Sequence, residues 1–391
     1  MRVGLDLFPL VPRTGRGGGF HTYARELVSE LVHWGQDVVL HVYANPLNAD
    51  WVPSSKGVCR HIVPLPPQRE LWPFRLFWQH VLFPVRAALD RLDLVHFLFD
   101  TSWIWGPVPS VVTIHDTISD VYYPTRFPGA VPDLKARYLF RAKRHAARTS
   151  RAVICPSHAT AEGVTEAYGL RRGHVRIVPE GVRIRSLDIA ADKTVRGDYV
   201  LTVASLSPHK NIGTLIRAMR RLGEQYGIRR PLHIIGMPGA APHVVRSELG
   251  EVRGVDVVYR GWVSDNELQR AYRECAAFAF VPLVEGFGLP PLEAMAGGAP
   301  VVASAVSSLQ DVCGEAALLV APEDEDAIAD ALRKVLYDPV LRNSLISRGR
   351  QQVRLFPWSA TAERTIAVYR EVLAGRPAAT DGPNDAGSAW S

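Results

Sequence analysis

Two glutamates eight positions apart bracket a glycine-rich stretch, Glu285-Gly-Phe-Gly-Leu-Pro-Pro-Leu-Glu293. The residues around it, from Ala277 to Ala303, read as strand, loop, helix, turn and strand. Such a loop presents backbone N–H groups where the helix begins, and with the helix dipole they form a site for an anion such as a phosphate. Pro290 and Pro291 suit the start of a helix but carry no N–H, which leaves Leu292 and Glu293, in the first turn, as the expected donors. Carboxylates accept hydrogen bonds from vicinal hydroxyls, so a ligand with a sugar at one end and a ribose at the other satisfies both glutamates. A solvated Glu285 and a helix-stabilising Glu293 fit the same spacing.

Other segments could face the same kind of ligand. Gly15-Arg-Gly-Gly-Gly19 follows the first expected strand and precedes a helix, a context for close approach of backbone to phosphate, at Gly17, Gly18 and Gly19 above all. It lacks the G-x-G-x-x-G spacing, which weakens a dinucleotide fold of the oxidoreductase type. His115 and Asp116 end the stretch Val112-Thr-Ile-His-Asp, at a strand end, where ligands sit in open α/β sheets. Lys210-Asn211 either meets an anion or caps the next helix. Asp324-Glu-Asp326 alone has the D-x-D spacing that holds a divalent cation, but it follows Pro322 where a helix starts and acids suit the dipole. Metal-independent binding is therefore expected, with no cofactor.

Glu285 to Glu293 with the following Ala-Met-Ala resembles the E-x7-E motif of glycosyltransferase family 4, retaining enzymes of the GT-B fold, and the resemblance extends in order to about Leu373. It implies that Glu285 and the backbone of Phe287, Gly288 and Leu289 hold the transferred sugar, with Leu292 near the diphosphate and Glu293 on the nucleotide ribose. Thr202-Val-Ala-Ser-Leu-Ser-Pro-His-Lys-Asn211 is similar to the segment whose basic pair neutralises that diphosphate. Lys210 fits the family lysine, Ser205 stands where an arginine is often found, and His209 is the other candidate cation. By the same resemblance His115 contacts the transferred sugar and Asp116 lies beside it, while Gly17 to Gly19 face the phosphates and acceptor across an interdomain cleft. Val178-Pro-Glu-Gly-Val182 resembles the strand-to-hinge segment, and Tyr259-Arg-Gly-Trp-Val263, through Gly261 and Val263, the stretch bordering the nucleobase.

Positioning such residues takes two doubly wound α/β domains, and 391 residues exceed what one core organises. Short apolar runs alternate with amphipathic ones. The first series of strands is Arg2 to Leu7, Asp37 to Tyr43, Leu94 to Phe97, Ser110 to Thr113, Ala152 to Cys155 and Val175 to Val178. The second is Tyr199 to Val203, Leu232 to Ile235, Val255 to Tyr259, Ala277 to Val281, Pro300 to Ala303 and Ala317 to Val320. The reading is a Rossmann-like acceptor domain over 1–185, a join within Arg183 to Gly197, and a Rossmann-like nucleotide-sugar domain over 198–356. A crossover helix over 357–375 returns to the first domain, and a disordered tail covers 376–391.

Composition is that of a globular protein: 47% apolar, 21% charged, and four cysteines that form no C-x-x-C pair, so a structural zinc site is not expected. Neither a signal peptide nor an apolar run of about 20 residues is visible, which points to the cytoplasm or the inner face of a membrane. The net charge of +6 suits an anionic partner. Lys135, Arg137, Arg141, Lys143, Arg144, Arg148 and Arg151 crowd one expected helix without an acid: a solvated face, or one that meets an anionic membrane. Leu71 to Pro84 is rich in aromatics, either buried or an exposed edge for a lipid acceptor.

The expected function is transfer of a hexose, with retention, from a nucleotide-diphosphate sugar to a hydroxyl of a glycan, a lipid-linked acceptor or a small metabolite. Pro208-His-Lys-Asn211 and His115-Asp116 resemble mannosyltransferase-like members, which favours GDP-mannose over UDP-sugars. A nucleotide-sugar epimerase of the same architecture is the alternative. A basic nucleic-acid-binding protein is a weaker one, since no recognition motif is present and no specific nucleic acid is expected.

Overall fold

The computed structural model describes residues 1–11, 18–33, 37–66, 71–126, 134–183, 197–237 and 254–375. Gly17, most of the expected join and the expected tail lie outside them. The chain forms two compact units, Met1–Gly181 with the helix Trp358–Leu373, and Val182–Pro357.

The first unit is built on seven parallel strands: β1 Arg2–Asp6, β2 Val39–Ala44, β3 Val58–Ile62, β4 Leu94–Phe97, β5 Ser110–Thr113, β6 Ala152–Cys155 and β7 Val175–Ile177, in the order β3-β2-β1-β4-β5-β6-β7. Strands β4, β5 and β6 are buried throughout, because helices cover both faces of a parallel sheet and leave no polar side for alternation. Strand β3 was not expected. It is a half-exposed edge, Val-Cys-Arg-His-Ile, whose polar residues hide it from any search for apolar runs.

The helix Trp358–Leu373 packs on Gly18–His33 and shares a core with β1, β2 and β4. A buried polar chain locks it to the sheet. Tyr369 Oη lies 2.7 Å from His96 Nδ1, His96 Nε2 lies 2.7 Å from Thr113 Oγ1, and Thr113 Oγ1 lies 3.1 Å from the hydroxyl of Tyr23. Gly181 lets the chain pass Trp358, since a Cβ there would fall 2.6 Å from the Trp358 Cα.

The second unit has six parallel strands: β8 Val200–Val203, β9 Leu232–Ile235, β10 Val257–Gly261, β11 Ala277–Phe280, β12 Val301–Ser304 and β13 Ala317–Val320, ordered β10-β9-β8-β11-β12-β13. In both sheets the order reverses once, between β1 and β4 and between β8 and β11. Loops leaving the carboxyl ends of such neighbours part to opposite faces and open a crevice, where ligands of this fold class bind. Among the described residues no helix is long and apolar enough to cross a membrane.

Candidate active site

In the second unit the reversal point brings together the loops after β8 and β11. The loop after β8 makes a short 3-10 turn, Pro208–Lys210, and Asn211 ends it in the left-handed conformation at φ 58°. Asn211 Nδ2 donates to the carbonyls of Val281, at 2.9 Å, and Pro322, at 2.7 Å, while the Leu283 amide donates to the His209 carbonyl at 2.8 Å. These bonds staple the turn to the loops after β11 and β13. Lys210 Nζ consequently lies 2.6 Å from Glu285 Oε2, with both side chains mostly screened from solvent, and 5.4 Å from the centre of the Phe280 ring. The two residues expected to divide the chemistry of the donor form one ion pair.

From Glu285 the chain reaches the helix Leu289–Ala296 through Gly288, whose φ of 113° only glycine adopts readily. A Cβ on Gly288 would also fall 2.4 Å from Leu309 Cδ2. Ser308, fully buried, holds the loop from beneath by donating to the carbonyls of Phe287, at 2.7 Å, and Glu285, at 3.3 Å. Phe287 is itself in the core against Phe356, with ring centres 5.8 Å apart.

This geometry moves the expected amide donors. The helix begins at Leu289, so the unpaired N–H groups of its first turn belong to positions 288 to 291, and the two prolines remove half of them. Gly288 and Leu289 are the two of these positions that keep an N–H without an intrahelical acceptor. Leu292 is the first residue whose N–H has an intrahelical acceptor, the Gly288 carbonyl, and Glu293 falls in the second turn rather than the first. Glu293 Oε2 accepts a hydrogen bond from the buried Tyr272 hydroxyl at 2.8 Å, so its carboxylate is oriented by the helix Asp265–Glu274.

A second group lies at the ends of β8, β9 and β10. Gly236 donates to the Gly261 carbonyl at 2.9 Å, and a Cβ on Gly236 would fall 2.0 Å from the Ala204 carbonyl oxygen and 3.3 Å from the Ser205 nitrogen. Ser205 and Gly261 thus share one tight backbone edge, and Val263 packs on the unit's core just beyond it. Ser205 Oγ lies 3.1 Å from Ser207 Oγ, and the Ser207 carbonyl accepts from the Lys210 amide at 2.9 Å, which ties this edge to the ion pair. Asp324 serves as a helix cap, accepting from the Ala327 amide at 2.9 Å, and so has the structural role that its position suggested.

In the first unit Gly18 and Gly19 open the helix Gly18–His33, and nothing lies within 4 Å of where a Gly19 Cβ would be. His115 follows β5 and is 5% exposed. Its Nδ1 lies 2.8 Å from Glu180 Oε1 and its Nε2 3.1 Å from the Leu98 carbonyl, and both partners only accept, so both ring nitrogens donate. Phe20 and Tyr23 flank the ring at 4.8 and 4.6 Å. The His115 amide donates to Asp100 Oδ1 at 3.3 Å and its carbonyl accepts from Thr160 at 3.4 Å. Burial pushes the imidazole down, but Glu180, with Asp100 and the Leu98 carbonyl, prevails and holds it above its ordinary value. No polar atom of His115 is left open, which does not match direct sugar contact by its ring nitrogens. The neighbouring Asp116 accepts from the Ile118 amide at 2.9 Å.

Lys143 departs from its expected place on a basic face. It is 3% exposed and lies 3.0 Å from Asp100 and 3.2 Å from Asp120. Burial opposes its charge, yet Asp100, Asp116 and Asp120 hold its ammonium well above its ordinary value. The Lys135 side chain lies outside the described part. Asp6, at the end of β1, is a buried carboxyl that sequence reading passed over. Burial pushes it up to about 7 against hydrogen bonds from Trp78 Nε1, at 3.1 Å, and the Phe8 amide, at 3.2 Å, and against the Arg75 charge.

One trio among the described residues has donor atoms close enough for a metal: His41, His61 and Asp90, on the β2–β3 side of the first unit. Arg2 lies 3.3 Å from the outer nitrogen of His41, and Arg86 lies 3.5 Å from that of His61 and 3.4 Å from Asp90. Two guanidiniums at that range oppose a cation.

The family model described as Glycosyltransferase Family 4 matches residues 17–185, and that described as Glycosyl transferases group 1 matches residues 189–352. The O-antigen chain mannosyltransferase B of Escherichia coli is 36% identical over 174 residues, 44% of this chain and 45% of its own, so the match spans less than half of that relative. A D-inositol 3-phosphate glycosyltransferase from Kineococcus radiotolerans is 27% identical over 414 residues, 94% of this chain and 93% of its own. The sucrose-phosphate synthase from Thermosynechococcus elongatus superposes with a TM-score of 0.71 over 96% of this chain and 100% of that one, and at 22% identity it is a likeness of fold. The pair of parallel α/β units is the GT-B architecture, both halves match in chain order, and the chain belongs to glycosyltransferase family 4.

Proposed function

We propose that the protein transfers a hexose, with retention, from a nucleotide-diphosphate sugar to an acceptor hydroxyl of a glycan, a lipid-linked acceptor or a small metabolite. The observation that carries this reading is the Lys210–Glu285 pair beside the open amides of Gly288 and Leu289 at the β8–β11 reversal point. Breaking the bond to the diphosphate leaves negative charge on the leaving group while positive charge builds at the anomeric carbon. Lys210 and the two amides stabilise the first as donors fixed in advance. Glu285, held in place by Lys210, accepts hydrogen bonds from the sugar hydroxyls. Glu293, aimed by Tyr272, holds the ribose. The acceptor oxygen attacks on the face from which the diphosphate departs and gives its proton to the departing diphosphate oxygen, which retains the configuration and needs no nucleophile from the protein. Neutralising the diphosphate through Lys210 and amides is a reading without a divalent cation.

GDP-mannose leads among donors, supported by the mannosyltransferase name of one relative. Glycan and small-metabolite acceptors both have a named precedent. In a thermal-shift screen with GDP, UDP and their sugars, GDP-mannose should raise the melting temperature most, since a ligand of the native state stabilises it. No shift from any nucleotide would overturn the reading. An α donor should give an α-linked product by its NMR anomeric coupling, and a β product would remove retention. Isomerisation of the donor without acceptor would replace transfer by epimerisation.

A further inference from the structure

The first unit turns an apolar helical face toward solvent. Along Leu71–Phe77, the π turn Trp78–Leu82 and Phe83–Leu89, one side is buried through Trp78, Phe83 and Ala87. The other side carries Phe77, Val81, Val85 and Leu89, four positions apart, exposed by 49%, 46%, 53% and 68%. A water-facing helix side is normally polar; here Arg86 is the only formal charge between Phe77 and Leu89.

A basic helix borders this strip. His80 Nε2 lies 2.9 Å from the Tyr138 hydroxyl in the helix Leu134–Thr149, and Trp72 meets the Tyr138 ring edge-on at 5.7 Å. Ile104, followed by the 72% exposed Trp105, bridges the two, its amide donating to His80 Nδ1 at 3.3 Å and its carbonyl lying 3.3 Å from His145 Nε2. Arg137, Arg141 and Arg144 of that helix point outward, and neither helical segment contains an Asp or Glu.

We propose that this face docks on an anionic phospholipid bilayer. The apolar row enters the interface between headgroups and acyl chains, and the arginines pair with lipid phosphates. Charge selects the bilayer over a second copy of the chain. A two-fold pairing sets a patch against itself, and neither segment supplies an acid to meet the arginines. The inference does not depend on the reaction proposed above.

The full-length chain would be sedimented with phosphatidylcholine vesicles and with vesicles containing phosphatidylglycerol. Binding is expected to the second and not the first, and to weaken as salt rises. Val85→Ser with Leu89→Ser, and Arg141→Glu with Arg144→Glu, should each cut the bound fraction about tenfold or more. Both pairs are exposed, so melting temperature and nucleotide-induced shifts should stay as in the parent, which separates loss of docking from loss of folding. Equal binding to both vesicle types, no binding to either, or binding untouched by both variants would overturn the proposal. So would a dimer by light scattering without lipid that Val85→Ser with Leu89→Ser converts to monomer.

Discussion

Lys210 Nζ and Glu285 Oε2 are 2.6 Å apart, although 75 residues separate them in sequence. Each limits the geometry of the other, so the pair should behave as a unit. Lys210→Ala and Glu285→Gln should each lower kcat by about 10²–10³. The double variant should lose much less than the product of the two, with a coupling of about 1 kcal/mol or more. Strictly multiplicative losses in steady-state rates would mean that the pair does not survive donor binding.

Tyr272 aims Glu293, whose proposed partner is the ribose. Tyr272→Phe should raise the donor KM about three- to tenfold, the value of about one hydrogen bond, with kcat little changed. Glu293→Ala should act in the same direction and more strongly. If Glu293 variants slow kcat while Glu285 variants raise KM, the ligand lies the other way round.

Glu180 is the counter-charge of His115. A histidine whose folded value is raised contributes stability that is complete below its unfolded value, about 6.5, and lost as pH rises through the folded one. Glu180→Gln keeps an acceptor but removes the charge. It should move the His115 titration downward by NMR and cost about 1–3 kcal/mol, more at pH 6 than at pH 9. An unmoved His115 titration would show that Glu180 does not hold the imidazolium.

Asp6 works in the same sense through a carboxyl. Its folded value of about 7 lies above the unfolded one, so its contribution is complete below about pH 4 and lost as pH rises through 7. Asp6→Asn still accepts from Trp78 and carries no charge. It should raise the melting temperature at pH 8 by about 2 °C or more and leave it nearly unchanged below about pH 4. Equal effects at both pH values would locate the cost of Asp6 in packing, not ionisation.

Much of the fold was legible as local pattern. Apolar runs such as Leu94–Phe97, Ala152–Cys155 and Leu232–Ile235 mark buried parallel strands because no polar alternation is possible there. The two glutamates around Gly288 were legible because a glycine between strand and helix carries a backbone demand that shows in the residue type. Strand β3 was not, since an edge strand needs no apolar run on its open side.

What the sequence determined alone, then, was the residue types at the two sheet reversals and the α/β rhythm that carries them. Tertiary structure decided their partners. It joined Lys210 to Glu285 through Asn211, shut His115 between Glu180 and Leu98, sank Lys143 among aspartates, and left Gly288 and Leu289, not Leu292, with the N–H groups that lack an intrahelical acceptor. The reason is physical. Periodicity reports which side of an element is buried, whereas the partner of a buried charge is chosen by contacts between residues far apart in the chain.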